Sequence, residues 1–302
     1  MANFGFKYLL NTILHTTNPF ITFFAQNMST EAVANIVATA AVETNTHTGD
    51  SNDTNGMVWY LGYGANMSSK VLSGRRQVFP VESHPVVVPG YQLTFDMVGL
   101  PYWEPGFGTI LPVNDSNGSA EDSTLLGETR MSDCQAGSPL HCIAHLITKK
   151  ELDHIVNTEG GNGSRDFGYQ LIEIACETYD GRAISGISLI DAHTSACGYH
   201  PSARYHKIIV DGAEEHGLDA KYIEQLRMIK PYVATTIGQI IAKHLTLVIG
   251  APLIFPLVAC MFASLAFKTK VPQVVSVYGE WSKRLVWVLH DWVLAPVFGK
   301  GH

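Results

Sequence analysis

Met57-Val58-Trp59-Tyr60-Leu61-Gly62-Tyr63-Gly64-Ala65-Asn66-Met67 is the stretch from which an ordered fold can be read in this chain. Val58–Leu61 is a short apolar run that stops at Gly62-Tyr63-Gly64, the pattern of a strand ending in a turn. The chain then turns into a predicted helix at Ser68. Glycines at such a junction let backbone N–H groups approach a ligand, and a helix start favours an anion. An ordinary glycine turn has the same pattern, so the stretch alone fixes a strand–turn–helix junction and no chemistry.

Downstream, Val86–Val88 and Gln92–Phe95 read as strands separated by Pro89-Gly90, and Phe107–Leu111 as another. Asn114–Ser138 is polar and rich in Ser, Gly and Asp, so residues 113–140 read as a long surface insertion. His141–Ile147 returns to strand character. Thr148 meets Glu151 three residues later, a capping-box pair, and Leu152, Ile155 and Val156 put one apolar face on a helix ending near Thr158. Tyr169–Glu177 and Ala183–Ile190 flank Asp180-Gly181, a hairpin signal. Ser202–Glu215 reads as a helix stopped by Gly217. Asp219 caps a second, which carries Ile223, Leu226 and Ile229 and stops at Pro231. Strands first and helices late give an α+β chain, not an alternating parallel sheet.

Residues 1–56 read as an extension. Phe4–Ala25 is apolar in patches but interrupted by Lys7, Asn11, His15, Asn18 and Pro19, which a signal-peptide core would not be; a signal anchor or organellar presequence remains the other reading. Thr44–Asn55 reads as a flexible linker. At the other end, residues 240–302 read as a membrane-associated tail. Leu245–Phe267 carries no charge between Lys243 and Lys268, and as a helix it would cover about 34 Å, enough to cross a bilayer core. Pro252 and Pro256 each remove a helical hydrogen bond, so a re-entrant hairpin and a buried core helix stand beside the single span. Trp281, Leu285, Val288, Leu289 and Trp292 fall on one helical face opposite Lys283 and Arg284, which fits an interfacial helix or one packed on the globular domain.

With 302 residues, 46% of them apolar and 16% charged, the chain is neither disordered nor collagenous nor a coiled coil, and its length suggests about two domains. Twenty basic against 27 acidic residues give a net −7, which argues against nucleic acid as a partner. The five cysteines, Cys134, Cys142, Cys176, Cys197 and Cys260, contain no C-x-x-C and fit a reducing compartment. G-x-S-x-G, P-loop and H-E-x-x-H motifs are absent. Asp191, His193, Cys197 and His200 are ligand types at loose spacing, with no second cluster to close a zinc site; a polar loop is the plainer reading.

Glu159 stands out. It follows the Thr158 helix end and precedes Gly160-Gly161, facing the negative pole of the helix dipole. A solvated residue on a frayed end tolerates that placement cheaply; a functional carboxyl would have its pKa raised towards neutrality there.

Taken together, these segments resemble the γ-glutamylcyclotransferase family. Tyr60–Met67 is similar to its substrate-loop motif, from which Tyr60, Leu61, Gly62, Tyr63, Gly64, Ala65 and Asn66 become candidate substrate-binding residues. Thr158-Glu159-Gly160-Gly161, with Tyr169 ten residues beyond Glu159, resembles the segment holding the catalytic Glu and a site Tyr. Pro201–Tyr205 running into Gly212–Leu218 resembles the C-terminal helical block, where Tyr205 matches a substrate-contacting Tyr. The resemblance covers Met57–Pro231 and is closest to the fungal branch that includes gliotoxin-type biosynthesis enzymes. It departs at Ala65, where the family usually has Ser, and near Ser188-Leu189, where some members carry a further Tyr.

The resemblance implies a small mixed or antiparallel β-barrel-like core with flanking helices over residues 57–231. It also implies a lyase that cyclises a γ-glutamyl group, drawn from glutathione metabolism or an adduct, to 5-oxoproline. Glu159 would be both general base and general acid. Attack by the substrate's own amine is intramolecular, so no metal or other cofactor is implied. The alternative is an altered family member that acts as a membrane-tethered binding or scaffold protein. The expected location is a cytosol-facing catalytic domain held to a membrane by Leu245–Phe267.

Overall fold

A computed structural model describes residues 56–113, 139–159, 169–191, 198–266 and 273–302. All but Gly56 of the extension, most of the 113–140 insertion, and His193 and Cys197 therefore lie outside the described residues. Seven strands are described: β1 (Met57–Gly62), β2 (Glu82–Val88), β3 (Tyr91–Leu100), β4 (Glu104–Pro112), β5 (Leu140–Thr148), β6 (Tyr169–Thr178) and β7 (Ala183–Asp191).

Five of these close a barrel in the order β1-β5-β2-β6-β7. β5 lies between β1, in the antiparallel register Tyr60↔His145, and β2, in the register Ser83↔His145. The closure is a parallel contact of β1 with β7 at Tyr60↔Ile187. Successive side chains on a strand point to opposite faces, and β1 feeds two cores in this way. Leu61 joins Val86, Ile143 and Ile174 in one cluster, while Tyr60 joins Leu72, Ile147, Leu152 and Ile155 in another. β3 and β4 form a separate two-stranded ribbon. The α+β expectation with a barrel-like core is thus met, and the hairpin about Asp180-Gly181 is the β6–β7 pair.

Local signals placed the helices. Helix α1 (Lys149–Thr158) starts with the reciprocal capping box of Thr148 and Glu151. Helix α2 (Ala203–Glu215) is capped by Ser202 Oγ, which accepts from the Tyr205 N–H at 3.1 Å. Helix α3 (Ala220–Met228) is capped by Asp219. The helix expected at Ser68 is two short turns, a 3₁₀ turn at Ala65–Met67 and a π turn at Lys70–Arg75.

The C-terminal segment differs from the expectation. Helix α4 (Ile237–Ala266) contains Pro252 and Pro256, and helix α5 (Gln273–Leu289) continues into a π turn at His290–Leu294. Among the described residues, no helix is long and apolar enough to cross a membrane. The pair is docked on the β3–β4 ribbon: the Trp287 Nε1–H donates to the Gly99 carbonyl at 2.9 Å, and the Trp103 Nε1–H to that of Lys243 at 2.8 Å. Tyr102 is buried under the chain end, its hydroxyl donating to the Gly299 carbonyl and its N–H to that of Gly301, both at 2.7 Å. The partner missing from the sequence reading was this ribbon, whose Leu100, Tyr102 and Trp103 supply apolar surface and indole and phenol donors together. Val286 and Trp287 on α5 and His290 in the π turn pack inwards, while Trp281, Leu285 and Val288 on α5 and Trp292 in the π turn are exposed.

Candidate active site

A cavity opens between the end of β1, the two short turns after it, β4, and the N-terminal part of α2. Tyr60, Tyr63, Gly64, Ala65, Asn66, Glu159, Tyr169 and Tyr205 all line it. Leu61 and Gly62 do not: Leu61 is 1% exposed within the barrel core, and its carbonyl accepts from Ser188 Oγ at 3.0 Å. Ser188 and Leu189 take the place where a further tyrosine was noted as missing. There the Leu189 carbonyl accepts from the Tyr63 hydroxyl at 2.5 Å.

Glu159 is the C-cap of α1, and its N–H closes the last turn onto the Ile155 carbonyl at 2.9 Å. Its carboxylate is not left facing the helix dipole alone. Arg76, at the end of the π turn, pairs with Oε1, the two side chains being 14% and 12% exposed. Asn66 completes a triangle. Its Oδ1 accepts from Arg76 Nε at 2.7 Å, and its Nδ2 donates to Glu159 Oε1 at 3.1 Å and to the Tyr60 hydroxyl at 2.7 Å. Among the described residues nothing hydrogen-bonds to Oε2 of Glu159, so one carboxylate oxygen is held and the other is open.

Tyr205 projects from the first turn of α2 and accepts from the Gly108 N–H at 3.1 Å. The approach depends on two glycines, because a Cβ on Gly64 would lie 3.0 Å from the Tyr205 hydroxyl and one on Gly108 3.1 Å from it. Tyr169, the first residue of β6, sets its hydroxyl 3.5 Å from the Gly108 carbonyl, at the outer limit of a hydrogen bond. Burial pushes Tyr60, Tyr63, Tyr169 and Tyr205 above the ordinary tyrosine value. All four are therefore neutral hydroxyls near pH 7. Arg75 and Arg204 also line the cavity. Arg204 is tied to the buried Glu104 through both carboxylate oxygens, at 2.6 and 2.7 Å, and Ser202 Oγ donates to the same carboxylate at 2.6 Å.

The sequence alone assigns no role to Arg75, Arg76, Arg204 or Glu104. The partners lie 83 and 100 residues apart, and no local signal joins them. In the loose Asp191–His200 run, Asp191 and His200 are among the described residues. The Asp191 N–H donates to Thr109 Oγ1 at 3.3 Å, and His200 Nδ1 lies 2.8 Å from the Lys230 carbonyl.

No family model matches the chain. Gamma-glutamyl cyclotransferase aclK of Aspergillus oryzae is 30% identical over 258 residues, spanning 82% of this chain and 91% of the relative. Gamma-glutamyl cyclotransferase gliK of Aspergillus fumigatus is 27% identical over 266 residues, spanning 82% and 90%. Among solved structures, one named gamma-glutamyl cyclotransferase aligns with 20% identity over 60% of this chain and 92% of its own, at a TM-score of 0.42.

Proposed function

This chain belongs to the γ-glutamyl cyclotransferase family, and on that premise we propose that it cyclises the γ-glutamyl group of a small substrate to 5-oxoproline and releases an amine. The observation that carries the reading is Glu159, a carboxylate anchored through one oxygen and open through the other, at the wall of a cavity with neutral hydroxyls and a glycine-rich loop.

The substrate's α-ammonium gives a proton to Glu159 Oε2, and the freed amine attacks the δ-carbonyl of its own side chain. A new C–N bond forms as the amide C–N bond breaks. The attacking nitrogen sheds its second proton as the ring forms, and the carboxyl passes the two protons in turn to the departing nitrogen, which leaves as an ammonium while the 5-oxoproline nitrogen keeps one. The step needs no water, and holding the amine against the carbonyl supplies much of the acceleration. Gly64, Ala65 and Asn66 line the cavity, and their backbone N–H groups are the candidate donors for the substrate carboxylate or the developing oxyanion. Tyr205 and Tyr169 orient the substrate.

The test is Glu159→Gln, which keeps the side chain's size and removes its titration. Release of 5-oxoproline from a γ-glutamyl dipeptide should fall roughly 10²- to 10⁴-fold with the fold intact. Near-normal turnover would sink the assignment.

The reading extends to location. Residues 240–302 would bind a membrane from the cytosolic side, through the apolar surface that α4 and α5 leave exposed. Asn66-Met67-Ser68 is a glycosylation sequon, and Asn66 is 6% exposed with its Nδ2 committed to Tyr60 and Glu159. A glycan on that nitrogen would dismantle the site, so the domain belongs where no such transfer occurs. The thiols of Cys142, Cys176 and Cys260 are unpaired, as a reducing compartment leaves them.

A further inference from the structure

Strand β4 and the start of α2 run side by side, joined at alternate residues of the strand. The Glu104 carboxylate binds Ser202 and Arg204, Gly106 bridges in parallel to Pro201, and the Gly108 N–H donates to the Tyr205 hydroxyl. Gly108 is available for this because of a β-bulge. Between the pairs Thr94↔Thr109 and Met97↔Phe107, Phe95 and Asp96 of β3 stand against Gly108 alone. A bulge disrupts the ladder locally, and Gly108 directs its N–H to a hydroxyl at the cavity wall. That hydroxyl oxygen accepts from Gly108, so its own proton is left for a ligand.

Glu104 holds the other end of the same tyrosine. It is 2% exposed, and a carboxylate taken out of water needs partners. Arg204 donates from Nε at 3.0 Å and from Nη2 at 2.6 and 2.7 Å, and Ser202 Oγ donates at 2.6 Å. Arg204 alone would balance the charge. Ser202 adds reach, because the same Oγ accepts from the Tyr205 N–H at 3.1 Å. A bridge of two hydrogen bonds therefore runs from Glu104 to the Tyr205 backbone, and a third bond ties the Tyr205 hydroxyl to Gly108 further along the same strand. Between these anchors the ring is T-shaped against Phe107 and Phe95, at centroid distances of 5.2 and 6.3 Å.

We propose that Glu104 is a positioning residue for the cyclisation: through Ser202 it sets the register of α2 on β4, and so holds the Tyr205 hydroxyl where it meets the substrate. This rests on the cyclotransferase reading above and adds to it a residue that does not itself line the cavity. A Ser cap by itself fixes only the first turn of its own helix. The carboxylate behind it fixes that turn to the strand carrying Gly108, and an orienting group displaced by about 1 Å costs on the order of 10²-fold in rate.

The experiment pairs steady-state release of 5-oxoproline from γ-glutamylalanine and from glutathione with hydrogen exchange at the Gly108 amide, followed by NMR on the full chain carrying isotope-labelled glycine. The variants are Glu104→Gln, Ser202→Ala and Tyr205→Phe, and the last combined with each of the first two. Glu104→Gln should lower kcat roughly 10- to 100-fold and change KM less than about threefold. Ser202→Ala leaves the Glu104–Arg204 pair in place, should lower kcat in the same sense, and decides the matter if Glu104→Gln does not fold. In the Tyr205→Phe background either change should cost less than about twofold more, because the group they act through is already gone. The Gly108 amide should exchange roughly tenfold faster in Glu104→Gln, Ser202→Ala and Tyr205→Phe alike. An undiminished loss in the Tyr205→Phe background would make Glu104 a general stabiliser and overturn the proposal. Unchanged kcat, or unchanged exchange at Gly108, in the Glu104 and Ser202 variants overturns it as well, while leaving the cyclotransferase reading in place. If wild-type protein releases 5-oxoproline from neither compound, that reading fails, and exchange at Gly108 then decides by itself: acceleration in the Glu104 and Ser202 variants supports the placement of Tyr205 by Glu104, and indifference overturns it.

Discussion

The Asn66 carboxamide joins an acid, a base and a phenol. Its oxygen faces Arg76 and its nitrogen faces Glu159 and Tyr60, which uses both ends of the group in the only orientation that suits a cation and an anion at once. Arg76 and Glu159 are mostly buried, so the pair differs from an exposed ion pair worth less than about 1 kcal/mol. Arg76→Gln keeps a donor for Asn66 and removes the charge, leaving a carboxylate with poor access to water. Stability should drop by about 3 kcal/mol, read as a shift in denaturant midpoint at constant slope. A loss under about 1 kcal/mol would show that solvent screens the pair as it does on a surface. Glu159 was legible in the sequence because its oddity is local, a carboxylate at a helix end. Arg76 was not, because its partner is 83 residues away and it is the pairing of β1 with β5 that brings them together. Leu61 and Gly62 sit in the same motif as Tyr60 and Tyr63, yet strand alternation buries Leu61 in the core, a distinction that a contiguous motif does not draw.

Strand β5 is the element through which pH reaches the barrel. It is paired on both sides, and its His145 faces Tyr60 on β1 and Ser83 on β2. The ring stacks 6.5 Å from that of Tyr60, and its Nδ1 lies 2.8 Å from Ser83 Oγ. Burial, reinforced by the neighbouring His216, pushes His145 from 6.5 down to about 3. The folded state therefore takes up this proton less readily than the unfolded chain. Stability is full above pH 6.5 and is lost as pH falls towards 3, by up to about 1.4 kcal/mol per pH unit. Between pH 7 and pH 5 the wild-type protein should lose about 2 kcal/mol more than His145→Gln does; parallel pH profiles for the two proteins would exclude His145 as the cause. The caps of α1, α2 and α3 were readable because Thr148–Glu151, Ser202 and Asp219 act within a few residues of themselves. The strand order was not, since β1 borders β5 and β7 and neither is the next strand after it in the chain.

At the scale of the whole molecule, the C-terminal helices bury one apolar face on the β3–β4 ribbon and leave another open. Ile237, Val248 and Phe255 on α4, and Trp281, Leu285, Val288 and Trp292 on α5 with its extension, are exposed, with Trp292 at 81%. Single exposed apolar residues are ordinary, but a set of this size on neighbouring helices marks an interaction surface. Arg284, next to Leu285 on α5, is exposed beside it. Tryptophans next to basic residues suit the headgroup layer of an anionic bilayer, where the indole lies at the boundary and the cations meet phosphate. Docking on the ribbon and lying on a membrane are compatible because they use different faces: Val286 and Trp287 turn inwards while Trp281, Leu285 and Val288 turn outwards. The full chain should therefore float with vesicles containing phosphatidylserine and bind less well to neutral ones. Trp281→Gln combined with Trp292→Gln should cut vesicle binding by roughly tenfold or more, since burying each indole is worth on the order of 2 kcal/mol. Release of 5-oxoproline in solution should not change, because neither residue lines the cavity. Full-length protein that stays at the bottom of the gradient with both vesicle types would refute the membrane surface, and flotation unaltered by the double substitution would place the contact elsewhere on the chain.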